Sequence, residues 1–122
     1  MFWIVGNKQQ QEVIMSKVQE MRGVAIAMNG AVGYADDAII SKTLLDKPTG
    51  TLTLFSFDAG QGLSEHTAPY DATVLILDGN AAITIAGKTQ SVAAGELIIM
   101  PANVPHSLRA EERFKMLLIM IR

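Results

Sequence analysis

The chain has 122 residues, of which 49% are hydrophobic and 18% charged, with a net charge of −2 and no cysteine. This composition predicts one packed domain and excludes a disordered chain, while the slightly acidic balance argues against nucleic acid, whose phosphates need a basic face. Without cysteine there are no disulfides, thiolate metal sites or thiol nucleophiles, which fits a cytosolic protein.

The opening MFWIVG is apolar but runs at once into NKQQQE. It lacks the basic start and long apolar core of a signal peptide. No apolar run approaches the roughly 18 residues of a membrane span. The chain therefore reads as cytoplasmic, with no membrane partner. Residues 1–12 read as an extension in which Phe2 and Trp3 either pack on a neighbour or stay loose. Val13, Ile14, Val18 and Met21 show a weak helical spacing broken by Gly23. That predicts a short helix within 13–29, then an irregular crossing. Residues 1–30 form the extension and short helix, and 31–122 the main domain.

From residue 32 onward, short β-branched runs alternate with turn residues. Strands are predicted at 38–45, 51–58, 73–78, 81–86, 89–93, 96–100, 105–109 and 113–121. The breaks fall at Lys47–Gly50, Gly60–Gly62, Asp78–Asn80, Gly87-Lys88, Gly95 and Pro101–Pro105. Asp78-Gly79 between two apolar runs is a hairpin signal. Many short strands with tight turns predict an all-β sandwich or barrel. Two strands, 73–78 and 113–121, are apolar at both parities, so both of their faces need cover. One cover is the interior. The other is a second sheet, the N-terminal segment or a partner subunit, and on this basis a homodimer is expected.

Two histidines, His66 and His106, sit in two glycine- and proline-marked stretches, GQGLSEHTAPYDATVLILDG (60–79) and GELIIMPANVPH (95–106). Over residues 38–121 the chain resembles a single-domain cupin. In the first cupin motif a glycine is followed after five residues by a histidine, then by a second histidine, a glutamate and a glycine. Gly60, His66 and Gly79 match it, while Ala68 and Ala72 stand at the second histidine and the glutamate. In the second motif Gly95, Pro101 and His106 match. Asn103 replaces a glycine, and Asn enters left-handed turns more readily than most residues. Ala110 stands for the final asparagine.

The resemblance implies a double-stranded β-helix, or jelly-roll barrel, with a short N-terminal helical or irregular segment. It also implies an interior pocket holding His66 and His106, which keep two of the family's usual four metal ligands. A divalent transition metal such as Zn, Mn, Fe or Ni on His66 and His106 would need a third ligand from elsewhere, since such sites usually keep three protein ligands. Tyr70, Asp71, Met100, Asn103, Phe114 and Met116 are the expected pocket neighbours. Asp71 faces outward by strict parity unless a bulge turns it in. Methionines and phenylalanines at such positions otherwise fill core gaps. The expected ligand is a small polar organic molecule. The resemblance admits a dioxygenase, isomerase or decarboxylase; the alternatives are a metal-free binding or sensing module, a histidine acting as general acid or base, and a structural dimer.

Overall fold

The computed structural model describes residues 13–15 and 22–122. Residues 1–12, with Phe2 and Trp3, and residues 16–21 of the expected helix lie outside the described residues. Nine strands are described: β1 (Val13–Met15), β2 (Ile39–Lys47), β3 (Gly50–Phe57), β4 (Gly62–His66), β5 (Ala72–Ile85), β6 (Lys88–Ala93), β7 (Leu97–Met100), β8 (His106–Arg109) and β9 (Phe114–Ile121). A single helical turn, α1 (Met28–Ala31), precedes β2. The architecture is the expected all-β jelly-roll barrel. None of the described helices is long and apolar enough to cross a membrane.

Three local expectations change. Val13–Met15 is not helical but pairs in parallel with Ile39–Ser41. The stretch GLSEH, which has no strand-like alternation, forms β4. The expected hairpin at Asp78-Gly79 does not form, because β5 continues for 14 residues through it. The first half of β5 pairs with β7 and β9, and its second half with β6 and β8. Asp78-Gly79 is therefore a corner carrying the chain from one sheet to the other, with a register shift between Ile76 and Asp78. The hairpin signal misleads because the two apolar runs take different partners. Gly79 has φ +75°, and a Cβ there would strike the Arg113 carbonyl and approach Phe114 Cα to 3.0 Å. The corner thus needs glycine for both its conformation and its space.

Strand alternation divides the apolar residues between two cores. The inner faces supply Val74, Ile76, Ile83, Leu108, Phe114, Met116, Leu118 and their neighbours, all buried. Outward-facing Leu54 and Leu44 join Val32 in a second cluster, with Ile26, Met28, Leu52, Leu77 and Leu117 packed against it. The chain's own segment 26–32 is therefore part of the second cover that the two-faced strands require. A polar clasp fixes the following residues. Tyr34 Oη donates to Asp78 at 2.6 Å, and Arg113 bridges Asp58 at 2.6 Å and Asp36 at 2.8 Å. Arg113 and Lys115 also lie 5.2 and 4.8 Å from the centre of the Tyr34 ring, within cation–π range.

Candidate functional site

His66 is the last residue of β4 and His106 the first of β8, and the two strands pair in antiparallel. Leu63 is opposite Leu108, and His66 is opposite His106. Three steps on β4 therefore match two on β8. Strict alternation would put residue 66 on the face opposite Leu63; the one-residue bulge between them restores it to the inner face. The rings consequently meet, with centroids 4.5 Å apart and planes at 69°.

Their proton positions follow from local bonds. His66 Nδ1 lies 2.7 Å from the Ser64 carbonyl, and His106 Nδ1 lies 3.1 Å from that of Val104. A carbonyl only accepts, so each Nδ1 carries the hydrogen and each neutral ring keeps its lone pair on Nε2. His106 is 1% exposed. Burial, reinforced by the charge of His66 and opposed by the bond to Val104, lowers its pKa below the usual 6.5. This ring is therefore neutral at pH 7.

The ends of β4, β7 and β8 and both ends of β5 come together at this rim. Loops 67–71 and 101–105 are tied together, with Asn103 N donating to Ala68 O at 2.7 Å and Ala102 N to the Asp71 carboxylate at 2.8 Å. Ala86 N, in the turn after β5, donates to Pro105 O at 2.9 Å. Asn103 adopts φ +62° where the motif has glycine. Ala72, the first residue of β5, is fully buried and lies in register with Met100 on one side and Met120 on the other. Met120 in turn faces Thr51, whose buried hydroxyl has no hydrogen-bond partner among the described residues. Ala68 packs against the same core, as does Ile85, the partner of His106 on β5.

The expected pocket residues thus separate. His66, His106 and Met100 belong to the rim. Asp71 and Asn103 build its loops, and Asp71 is exposed and committed to the Ala102 amide. Tyr70, on the same loop, is 38% exposed. Met116 lies deeper, opposite Ile76 and Phe55. Phe114 is in register with Gly79 at the far corner and stacks on Phe57 at 4.4 Å, so it lies away from the histidines. Two rim residues carry signals that motif reading passes over. Thr51 is one; the inward parity of TLTLFSFD marks it. Met120 is the other, by its place opposite Ala72.

The donor set bears on a metal. The ring separation suits two imidazoles on one ion, given metal–nitrogen bonds of about 2.0–2.1 Å. Among the described residues, however, no group of three His, Asp or Glu side chains exists that could hold one. Asp71 does not supply the third ligand. The residues present do not fit a hard divalent ion held by protein groups alone.

Residues 53–122 match the family model described as a cupin domain. A conserved protein of unknown function from Streptococcus pyogenes is 33% identical, covering 100% of this chain and 96% of that one, with a TM-score of 0.66. A cupin 2 conserved barrel domain protein from Leptotrichia buccalis is 42% identical over 80% of this chain and 47% of its own, with a TM-score of 0.78. An uncharacterised Streptomyces coelicolor protein is 36% identical over 53 residues, 43% of this chain and 50% of that relative. This match spans only half of the curated relative, and the Leptotrichia match under half of that chain.

Proposed function

This chain belongs to the cupin family, and from that premise we propose that it is a small-molecule-binding cupin domain whose ligand is received by His66 and His106. The observation that carries this is the pair of meeting rings, both with the lone pair on Nε2. Two Nε2 acceptors side by side suit a polar organic molecule that donates hydrogen bonds, such as a hydroxyl or ammonium compound. Ala68 and Ala72 are smaller than the ligand side chains that stand at these positions in the family motif. A thermal-shift screen of small hydroxylated and amino compounds tests this. Hits must stabilise the native protein and lose their effect in both His66→Ala and His106→Ala; hits that survive both substitutions place the ligand elsewhere.

A second reading, a metal ion on the two Nε2 atoms, is favoured by the ring spacing. A divalent ion there would take its remaining positions from water or from the ligand. Elemental analysis of protein purified without a His-tag or chelating resin separates the readings. Stoichiometric Zn, Mn, Fe or Ni supports the ion, and its absence supports direct binding.

We also propose a homodimer. Leu97, Ile99 and Ile121 are 53%, 55% and 71% exposed. They lie with Thr73, Leu75 and Ile119 on the outer side of β7, β5 and β9. This stripe carries no charge, so two copies can face each other without like-charge repulsion.

A further inference from the structure

We propose that Asp71 is a positioning residue: its carboxylate anchors the loop that carries the Val104 carbonyl, and through that carbonyl it sets which ring nitrogen of His106 keeps the lone pair. The inference rests on the reading of the histidine pair as the ligand-receiving site and adds the residue that holds one ring in its accepting form. It starts from the few donors in loop 101–105, which reads PANVP. Both ends are proline, which has no N–H. The loop therefore fixes itself with three backbone donors, on Ala102, Asn103 and Val104, and all three are used. Val104 N turns back on Pro101 O at a long 3.4 Å, whereas Asn103 N reaches Ala68 O at 2.7 Å and Ala102 N reaches Asp71 Oδ1 at 2.8 Å. Both short bonds cross to loop 67–71. Of the three, only the Asp71 bond is accepted by a side chain, and being charge-assisted it is of the stronger kind. Asn103 stands at φ +62°, a conformation that costs free energy for a residue with a Cβ and persists where the surroundings hold it.

The place of Asp71 in the chain suits it to this task. The next residue, Ala72, begins the 14-residue β5, is fully buried, and lies in register with Met100 on β7 and Met120 on β9. Met100 is the last residue before loop 101–105. The carboxylate therefore ties a fixed strand end to the second residue of the loop. Two residues further on, Val104 O takes the His106 Nδ1 hydrogen at 3.1 Å. The tautomer of a neutral imidazole is set by the hydrogen bond that one of its nitrogens makes. A Val104 carbonyl held in place thus keeps the hydrogen on Nδ1 and the lone pair on Nε2. His66 differs, because its acceptor, Ser64 O at 2.7 Å, belongs to β4 itself and not to loop 101–105. Asp71 therefore acts on one ring and not on the other, from an exposed position and without touching either.

The test is nitrogen-15 NMR of the full-length, histidine-labelled protein without ligand, at about pH 8, above the ordinary imidazole range. It compares the parent with Asp71→Ala and Asp71→Asn. In Asp71→Ala, His106 should lose the single Nδ1–H pattern and gain the Nε2–H form, while His66 stays as in the parent. Asp71→Asn keeps an acceptor oxygen and should restore the parent pattern. Amide hydrogen exchange gives a second measurement that holds even if the alanine variant folds poorly. The Ala102 N–H should be protected in the parent and in Asp71→Asn, and should exchange about tenfold faster in Asp71→Ala. If His106 keeps its tautomer in a folded Asp71→Ala, the positioning role is overturned and the histidine reading stands. If both rings change together, the substitution acts on the fold at large, and the role is overturned as well. An unprotected Ala102 amide in the parent removes the tie itself. The ligand screen on the native protein decides the binding reading separately, since none of these signals depends on a ligand.

Discussion

At the scale of single residues, the proposed function turns on two imidazoles whose hydrogens are placed by backbone carbonyls two residues upstream. His106 makes a prediction about pH. Its folded pKa is lowered, so below the ordinary value the unfolded chain binds the proton more readily than the native one. Its contribution to stability is therefore complete above about pH 6.5 and is lost as the pH falls towards the folded pKa. Urea unfolding between about pH 5 and pH 8 should show the midpoint falling on the acid side, and His106→Gln should flatten that slope; an unchanged slope would mean that another group is responsible. Asp58 acts further down the scale. Its bond to Arg113, with a second from the Asp37 amide, lowers its pKa. The clasp's stability is present above the ordinary carboxylate range and is lost as the pH falls through the depressed value. Asp58→Asn should remove that acid limb. That His66 and His106 meet in the fold was legible in the motif spacing. The placement of Thr51 and Met120 was not, because neither is near a histidine in sequence and only strand register brings Met120 beside Ala72 and Thr51 beside Met120.

At the scale of elements, the site depends on irregularities. The bulge in β4 turns His66 inward, and the corner at Gly79 lets one strand serve two sheets. Gly79→Ala should destabilise by about 3 kcal/mol, combining the left-handed conformation with a clash against backbone that cannot move aside. Chemical denaturation measures this; a loss comparable to that of Gly87→Ala, where a Cβ meets nothing within 4 Å, would argue against the steric part. Most strands were readable from alternation and turn residues, to within a residue or two. β4 was not, since a bulged strand with Ser64 and Glu65 pointing away from the core lacks period-two hydrophobicity. The Asp78-Gly79 corner was misread for the complementary reason: local chemistry is the same for a hairpin and a sheet-crossing bend, and the distinction lies in which distant strands pair.

At the scale of the whole molecule, apolar surface exceeds what one barrel interior can bury. Segment 26–32 covers part of the outer face of β2, β3 and β9, and the stripe of Leu97, Ile99 and Ile121 stays exposed. The proposed dimer predicts that light scattering of the parent gives twice the chain mass, and that Ile99→Lys with Ile121→Lys gives a folded monomer. A parent that is monomeric at high concentration rules the dimer out. The two apolar parities of β9 made a second cover legible. How much of it the chain provides itself depends on where residues 26–32 pack, which no periodicity encodes.

The proposed binding role requires both rings to carry their hydrogen on Nδ1 and to keep the lone pair on Nε2. Nitrogen-15 NMR of histidine-labelled protein at about pH 8, above the ordinary imidazole range, tests it most directly. Both His66 and His106 should appear as the Nδ1–H tautomer, with pyridine-type Nε2 resonances that move on addition of a binding compound. An Nε2–H tautomer at either ring would contradict the account, because that ring could then neither accept a hydrogen bond nor coordinate an ion in the pocket.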